Sequence, residues 1–261
     1  MGKLNIAITA GGTSENIDGV RKLTNVSTGS LGWQCLEAVL NQLSLAGDTD
    51  FHIYYIHTET ALRKELDENR NRFVDFIEIT DAESVYQTVD DLTKRVNITH
   101  FIHSMAISDF TFSYAASIKR LAEELYRKTS ENPELSAQDF EEILQHPQSS
   151  YPGDSKISSK EPLLIGLKTT RKVISLIKKN NPATFLVGFK LLRNVTEEDL
   201  MREAQRLTDE NGCNMVFANE LSRISGSGHT GMLIQNGAVV ARPEGKDAIA
   251  KVIVEKMINR S

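Results

Sequence analysis

Short apolar runs that alternate with stretches of helical spacing constrain this chain more than any other feature. LNIAITA from Leu4, FHIYYIHT from Phe51, FVDFIEI from Phe73, HFIHSMA from His100, LLIGL from Leu163, TFLVGFK from Thr184 and NMVFAN from Asn214 read as strands. Glu83 to Val96, Thr170 to Lys179 and Thr196 to Asn211 read as helices, and Trp33, Leu36, Val39, Leu40 and Leu43 form the core stripe of another that reopens near Leu31. Apolar strands alternating with helices predict an α/β fold, a Rossmann-like mainly parallel sheet with helices on both faces. Thr196 followed by Asp199 marks a capping box, Asn236-Gly237 a hairpin, and Gly245 to Asn259 a last helix. Ala115 to Ser159 is rich in charge, Ser, Pro and Gln, with two short helical patterns and no strand. It is expected to be a lid or interface arm within a single domain spanning 1–261.

The charge balance, 30 Lys and Arg against 35 Asp and Glu, comes without a long basic block and argues against nucleic-acid binding. No apolar stretch approaches the ~18 residues of a membrane span, and the start lacks the pattern of a secretory signal. The mature chain is therefore expected to begin near Met1 and to work in the cytoplasm. Cys35 and Cys213 each stand alone in sequence and read as packed thiols. His100 and His103, three apart on a strand, point to opposite faces and do not suggest a metal site.

Chemistry concentrates after the first strand, in AGGTSENIDGVRKLTNVSTGSLG. Glycines and hydroxyl residues ahead of a helix can hold an anion on backbone amides and the helix dipole, with Arg21, Ser27 and Thr28 as further donors. The competing reading is a long turn whose glycines only permit tight geometry. A nicotinamide-dependent reductase is the first alternative, because strand, glycine loop and helix also open dinucleotide folds. The spacing disagrees: Gly11-Gly12 is followed by Gly19, the second strand ends at His57-Thr58 without a ribose-binding acid, and no Tyr-x-x-x-Lys pair occurs. No Gly-Lys-Ser/Thr occurs either, which removes a Walker loop.

Ala10-Gly11, Thr13, Glu15, Asp18, Val20-Arg21 and Asn25 through Gly32 together resemble the opening of the phosphopantothenoylcysteine synthetases. HSMAISDF (His103 to Phe110), Lys156-Ile157, VGF (Val187 to Phe189) and Ala218-Asn219 follow in that family's order, so the resemblance covers nearly the whole chain. It implies a ligase that activates the carboxylate of phosphopantothenate with a nucleoside triphosphate, releasing pyrophosphate, and then joins the acyl group to cysteine. It further implies catalytic roles for Asn25 and Lys156. Nucleotide contacts would come from His103, Ser104, Met105, Ala106, Asp109, Lys156, Arg171, Lys172, Val173, Ile174 and Phe189. Substrate or phosphate contacts would come from Gly11, Gly12, Arg21, Asn25, Ser27, Thr28 and Gly29.

Magnesium would accompany the triphosphate, with no ligands assigned, and a homodimer is implied. CTP is preferred over ATP on the overall bacterial pattern, although Gly188 to Leu191 is closer to eukaryotic members, which use ATP. The sequence departs from bacterial members at Ser108 and at Ser158-Ser159, and lacks counterparts of their lysines between Thr196 and Asn211. Many bacterial relatives carry a flavin-dependent decarboxylase ahead of this region; with the first strand at Leu4, a stand-alone synthetase is expected. A non-catalytic phospholigand-binding protein is the remaining alternative.

Overall fold

A computed structural model of the chain describes residues 3–151, 161–225 and 228–259. Its elements, in order, are β1 (Leu4–Ala10), β2 (Ser14–Asn16), β3 (Lys22–Thr24), α1 (Ser30–Leu45), β4 (Phe51–Thr58), α2 (Glu68–Asn71), β5 (Val74–Ile79), α3 (Ala82–Arg95), β6 (His100–His103), β7 (Phe110–Ser117), α4 (Ile118–Glu131) and α5 (Ala137–Gln145). There follow β8 (Leu163–Thr169), α6 (Ile174–Asn180), β9 (Phe185–Leu192), α7 (Glu197–Asn211), β10 (Met215–Glu220), β11 (Ile224–Ser225), β12 (Gly228–His229), β13 (Met232–Gln235), β14 (Ala238–Ala241) and α8 (Lys246–Ile258). They form two units, one of Met1–Thr13, Val26–Ile107 and Lys172–Ser261, the other of Ser14–Asn25 and Ser108–Arg171. No helix among the described residues is long and apolar enough to cross a membrane.

The first unit is built on an eight-stranded sheet in the order β14-β13-β10-β9-β6-β1-β4-β5. The strands from β10 to β5 are parallel, and β13 and β14 add an antiparallel edge. The period of two in β1 explains why both faces are covered: Ile6, Ile8 and Ala10 join a core with α1 and α8, while Ala7 joins one with α3, α6 and α7. Trp33 is fully buried in the first core, edge-on to Tyr55 and stacked on Phe76. Cys35 and Cys213 are buried and unbonded, and burial pushes both thiols up to about 12. Helix α7 starts at the expected capping box, with Thr196 and Asp199 bonded reciprocally. The β13–β14 hairpin turns at Asn236 and Gly237, both with positive φ (50° and 73°) as the favoured two-residue turn requires.

The second unit corrects two expectations. Leu163 to Leu167 do not join the parallel sheet: β8 pairs antiparallel with β7 in a separate two-stranded sheet, leaving Ile165 and Leu167 nearly half exposed. The expected helix from Thr170 starts only at Ile174, because Thr170 still closes the β7–β8 ladder, donating from N to Asp109 O (3.0 Å) and from Oγ1 to Ser108 O (2.6 Å). The described part of the excursion expected over 115–159, residues 115–151, contains the two helices, α4 and α5, and also the end of β7, while 152–159 lie outside the described residues. Glu124 of α4 ties down the chain after α5 by accepting from the Gln148 and Ser149 amides at 2.9 Å each. Paired β2 and β3 complete the unit, with β2 against β7.

Candidate functional site

In the first unit the strand order reverses direction at β1. From there the chain builds outward through β4 and β5 on one side, then returns to lay β6, β9 and β10 on the other. Open α/β sheets bind ligands at such a switch point, beyond the carboxyl ends of the two strands that flank it. Here those strands are β1 and β6, and they end in Gly11-Gly12 and Ser104 to Ala106. The two loops are zipped together: Ala106 N donates to Gly11 O (2.9 Å), Thr13 N donates to Ala106 O (3.1 Å), and Gly12 bridges Ala106.

Thr9, fully buried on β1, fixes the segment after β6. Its Oγ1 hydrogen-bonds His103 Nδ1 at 3.0 Å and accepts from Met105 N at 3.3 Å, while its carbonyl accepts from Ser104 Oγ at 2.6 Å. Nothing in the sequence motif singles Thr9 out. Thr9→Val keeps the shape but strands two groups, and should cost about 1–3 kcal/mol; an unchanged urea midpoint would show these bonds to be dispensable.

Desolvation pushes His103 down to about 4, so its imidazole is neutral at pH 7. Between its unfolded value near 6.5 and about 4, the unfolded chain binds a proton that the folded chain refuses. Its contribution to stability is therefore complete above pH 6.5 and lost as pH falls through that window. His103→Gln should flatten this part of the pH–stability profile measured by denaturation, and an identical slope in the two proteins would contradict the assignment. His103 shares a sheet face with Phe101, whereas His100 lies against Phe185 and is bonded to the Met257 backbone on the other face. The two histidines thus do face opposite ways.

Helix α1 begins beside the same loop. Gly29 is its N-cap in the left-handed region (φ 67°), with no side-chain cap, and Ser27, Thr28 and Ser30 crowd around the first turn. A Cβ on Gly29 would stand 2.7 Å from Ala61 Cβ, and one on Gly11 (φ 98°) would stand 2.1 Å from Thr58 Oγ1. The glycines are thus required by close packing of the loops after β1 and β4 on the helix start, which gives the tight-turn reading a firm basis beside the anion-binding one. Lys246 of α8, absent from the sequence-based candidates, reaches Ser30 Oγ at 2.6 Å.

Farther along the sheet, Phe189 of β9 packs 5.9 Å from Phe217, whose ring stacks with His229. His229 Nε2 lies 3.2 Å from the amide of Asn219, in the Ala218-Asn219 pair. Lys172 is exposed, but Val173 and Met105 are buried in the core at 3% and 7% exposure, and Ile174 packs against that core. The side chains of Val173 and Met105 are therefore packing groups, and any part they take in ligand binding falls to their backbone.

Within the second unit, Asp18 organises the turn between β2 and β3. Its Oδ1 accepts from Val20 N (2.9 Å) and Arg21 N (2.7 Å), and its Oδ2 accepts from Arg21 Nε (3.1 Å). The Arg21 guanidinium is thereby held in one orientation, with its side chain 44% exposed. Asn25 follows β3, half-buried, and its side chain makes no hydrogen bond among the described residues. Asp109 and Arg171 are exposed at the open end of the β7–β8 pair. Lys156 lies outside the described residues. No group of three or more His, Cys, Asp or Glu suited to a metal ion occurs among the described residues.

Fold and loops define a Rossmann-ordered α/β protein with a glycine- and hydroxyl-rich turn at the switch point. The chain belongs to the family of the DNA/pantothenate metabolism flavoprotein C-terminal domain, whose model matches residues 1–150. It is 30% identical to the DNA/pantothenate metabolism flavoprotein from Streptococcus pneumoniae, with a TM-score of 0.79 over 99% of this chain and 100% of that one.

Two curated relatives are coenzyme A biosynthesis bifunctional proteins CoaBC. The one from Thermococcus kodakarensis is 25% identical across 83% of this chain and 41% of its own length. The one from Methanocaldococcus jannaschii is 26% identical across 97% and 50%. The chain thus spans half or less of the curated relatives it matches. A Cab2 mutant in complex with phosphopantothenate-cysteine shares the fold at 15% identity, with a TM-score of 0.67 over 98% of this chain and 86% of that one.

Proposed function

We propose that the chain is a phosphopantothenate–cysteine ligase of coenzyme A biosynthesis. The observation that carries this reading is the joined pair of loops at the switch point, Gly11-Gly12 with Ser104 to Ala106, in a chain of the pantothenate-metabolism family. Two relatives are coenzyme A biosynthesis bifunctional proteins, and a fold neighbour holds phosphopantothenate-cysteine, in keeping with it.

In the proposed reaction a carboxylate oxygen of phosphopantothenate attacks the α-phosphorus of CTP or ATP and pyrophosphate leaves. The cysteine amine then attacks the acyl carbon, the nucleoside monophosphate leaves with the former carboxylate oxygen, and the amine loses a proton. Two anions meet in the first step, so neutral amide donors and cations are needed where charge builds up. Asn25 would supply a neutral donor to the acyl group; Lys156 and Arg171 would supply cations. Neutral His103, Ser104 and Ala106 would line the nucleotide with Phe189. Magnesium fits as an ion carried largely by triphosphate oxygens and water with few protein ligands, a common arrangement for this metal.

The reading is tested by pyrophosphate release with CTP and ATP in parallel, omitting phosphopantothenate, cysteine or magnesium in turn. Release that depends on phosphopantothenate supports it and ranks the nucleotides. Nucleotide binding without turnover would return the chain to a phospholigand sensor. Homodimerisation, and a response of the 115–159 segment to nucleotide, belong to the same reading. Saturating CTP or ATP should slow proteolysis within that segment; unchanged cleavage by both would remove its role as a lid.

A further inference from the structure

Asn219 stands near the carboxyl end of β10, on the edge of the parallel sheet beyond which ligands bind in open α/β folds. It is 6% exposed, and its side chain makes one hydrogen bond among the described residues: the amide nitrogen lies 3.2 Å from His229 Nε2. An amide nitrogen can only donate, so Nε2 accepts and the ring proton sits on Nδ1. The carbonyl oxygen of Asn219 is left uncommitted among the described residues.

His229 is held over this amide from several sides. Its backbone pairs with Ile224 in β11–β12, its carbonyl accepts from Gly245 N at 2.8 Å, and Thr230 bridges Glu244. Two residues on, a Cβ at Gly231 would stand 2.4 Å from Phe217 Cζ and 3.0 Å from Asn219 Cβ, so the chain after His229 is pressed onto β10. The imidazole stacks on Phe217, with 6.2 Å between ring centroids and 20° between planes, and Phe217 lies in register beside Phe189 of β9. A phenyl ring would fill that stack as well, whereas the imidazole buries Nδ1 without a partner among the described residues, at a cost in desolvation. What the imidazole gains over a phenyl is its hold on Asn219. Burial, and after it the Lys246 charge, push the ring below its ordinary titration range, and the neutral form keeps Nε2 as an acceptor.

We propose that His229 is a positioning residue of the nucleotide site: it holds the Asn219 carboxamide with its oxygen toward the nucleoside, where that oxygen accepts from an exocyclic amine of the base or from a ribose hydroxyl. The inference rests on the ligase reading for its ligand. The exocyclic amine is the group that cytosine and adenine share and that uracil and hypoxanthine replace with a carbonyl. A fixed acceptor therefore takes both CTP and ATP and leaves their keto counterparts with two acceptors facing each other. Without His229 the carboxamide is free to turn over and present its NH2 group instead.

The test is calorimetric binding of CTP, ATP, UTP, ITP and the 2′- and 3′-deoxy forms of CTP and ATP to the full chain, to His229→Leu, His229→Gln and Asn219→Ala, and to the His229→Leu, Asn219→Ala double variant. His229→Leu should weaken the preferred nucleotide by roughly 10-fold and remove its advantage over the analogue that lacks the recognised donor. His229→Gln, whose side-chain carbonyl can accept from the same amide, should keep most of the affinity and the selectivity. Asn219→Ala should lose as much as His229→Leu, and the double variant no more than either, because one residue acts through the other. Loss of the preference for CTP over UTP, or for ATP over ITP, assigns the contact to the amine; loss of the preference over a deoxy form assigns it to the ribose. Unchanged affinity in His229→Leu overturns the proposal, as do additive losses in the double variant, equal weakening of every nucleotide and analogue, and a wild-type chain that does not discriminate or that prefers the keto nucleotides. Should His229→Leu fail to fold, His229→Gln and Asn219→Ala decide in the same way. Selective nucleotide binding that depends on His229, without pyrophosphate release when phosphopantothenate is added, would keep the positioning role and remove the ligase reading; a wild-type chain that binds no nucleotide would remove both.

Discussion

Asn25→Asp will lower the rate of ligation by roughly 10²–10³-fold, the usual cost of losing one transition-state donor. The substitution is nearly isosteric, so in the proposed reaction the effect is electrostatic: a neutral amide that can donate would become a carboxylate beside the proposed reacting carboxylate and phosphate. Asn25 suits this role physically, because it is half-buried and its amide is not committed to another described residue. For the same reason the melting temperature should stay where it is. Steady-state kinetics together with a melting curve separate the outcomes, and near-normal turnover would make Asn25 a structural residue.

Gly11→Ala will destabilise the protein by about 3 kcal/mol. Roughly 1–3 kcal/mol comes from forcing a side chain into a left-handed backbone, here φ 98°, and a similar amount from overpacking. The new methyl would meet Thr58 Oγ1 at 2.1 Å and Ala61 Cβ at 3.0 Å, both in the packed junction of the β1 and β4 ends. At ~2–4 °C per kcal/mol for a chain of this size, the melting temperature should fall by about 10 °C. Gly19→Ala is the control, since a Cβ there meets nothing within 4 Å. Equal melting temperatures for the two variants would show that the loop relaxes freely.

Much of the first unit was legible because its central strands are buried on both faces, and such strands read as largely apolar runs. β1, β4, β5, β6, β9 and β10 were all expected, and the Thr196 and Asn236-Gly237 signals landed where local hydrogen bonding and positive φ place them. Periodicity carries no information about partners, however. That is why β8 was expected in the main sheet: LLIGL looks the same whether it lies in a core or pairs with β7 in a two-stranded arm. β2 and β3, three residues each, are too short to show a period, and their turn is held by Asp18 side-chain bonds.

The candidate site was legible as motifs in order, through resemblance. What the residues do locally was not. Thr9 holds the His103 to Met105 segment from another strand, Val173 turns its side chain into the core, and Lys246 arrives from the last helix. Each of these depends on contacts between segments far apart in the chain, which spacing along one segment does not encode.

Phosphopantothenate labelled with ¹⁸O in its carboxylate gives the most direct test of the central claim, with mass spectrometry of all products after turnover with cysteine and the active nucleotide. The account predicts the cysteine amide of phosphopantothenate and one ¹⁸O in the nucleoside monophosphate, because the carboxylate oxygen bonds to the α-phosphorus and leaves with it. Label in inorganic phosphate would mean activation at the γ-phosphorus, and absence of the amide would contradict the ligase assignment itself.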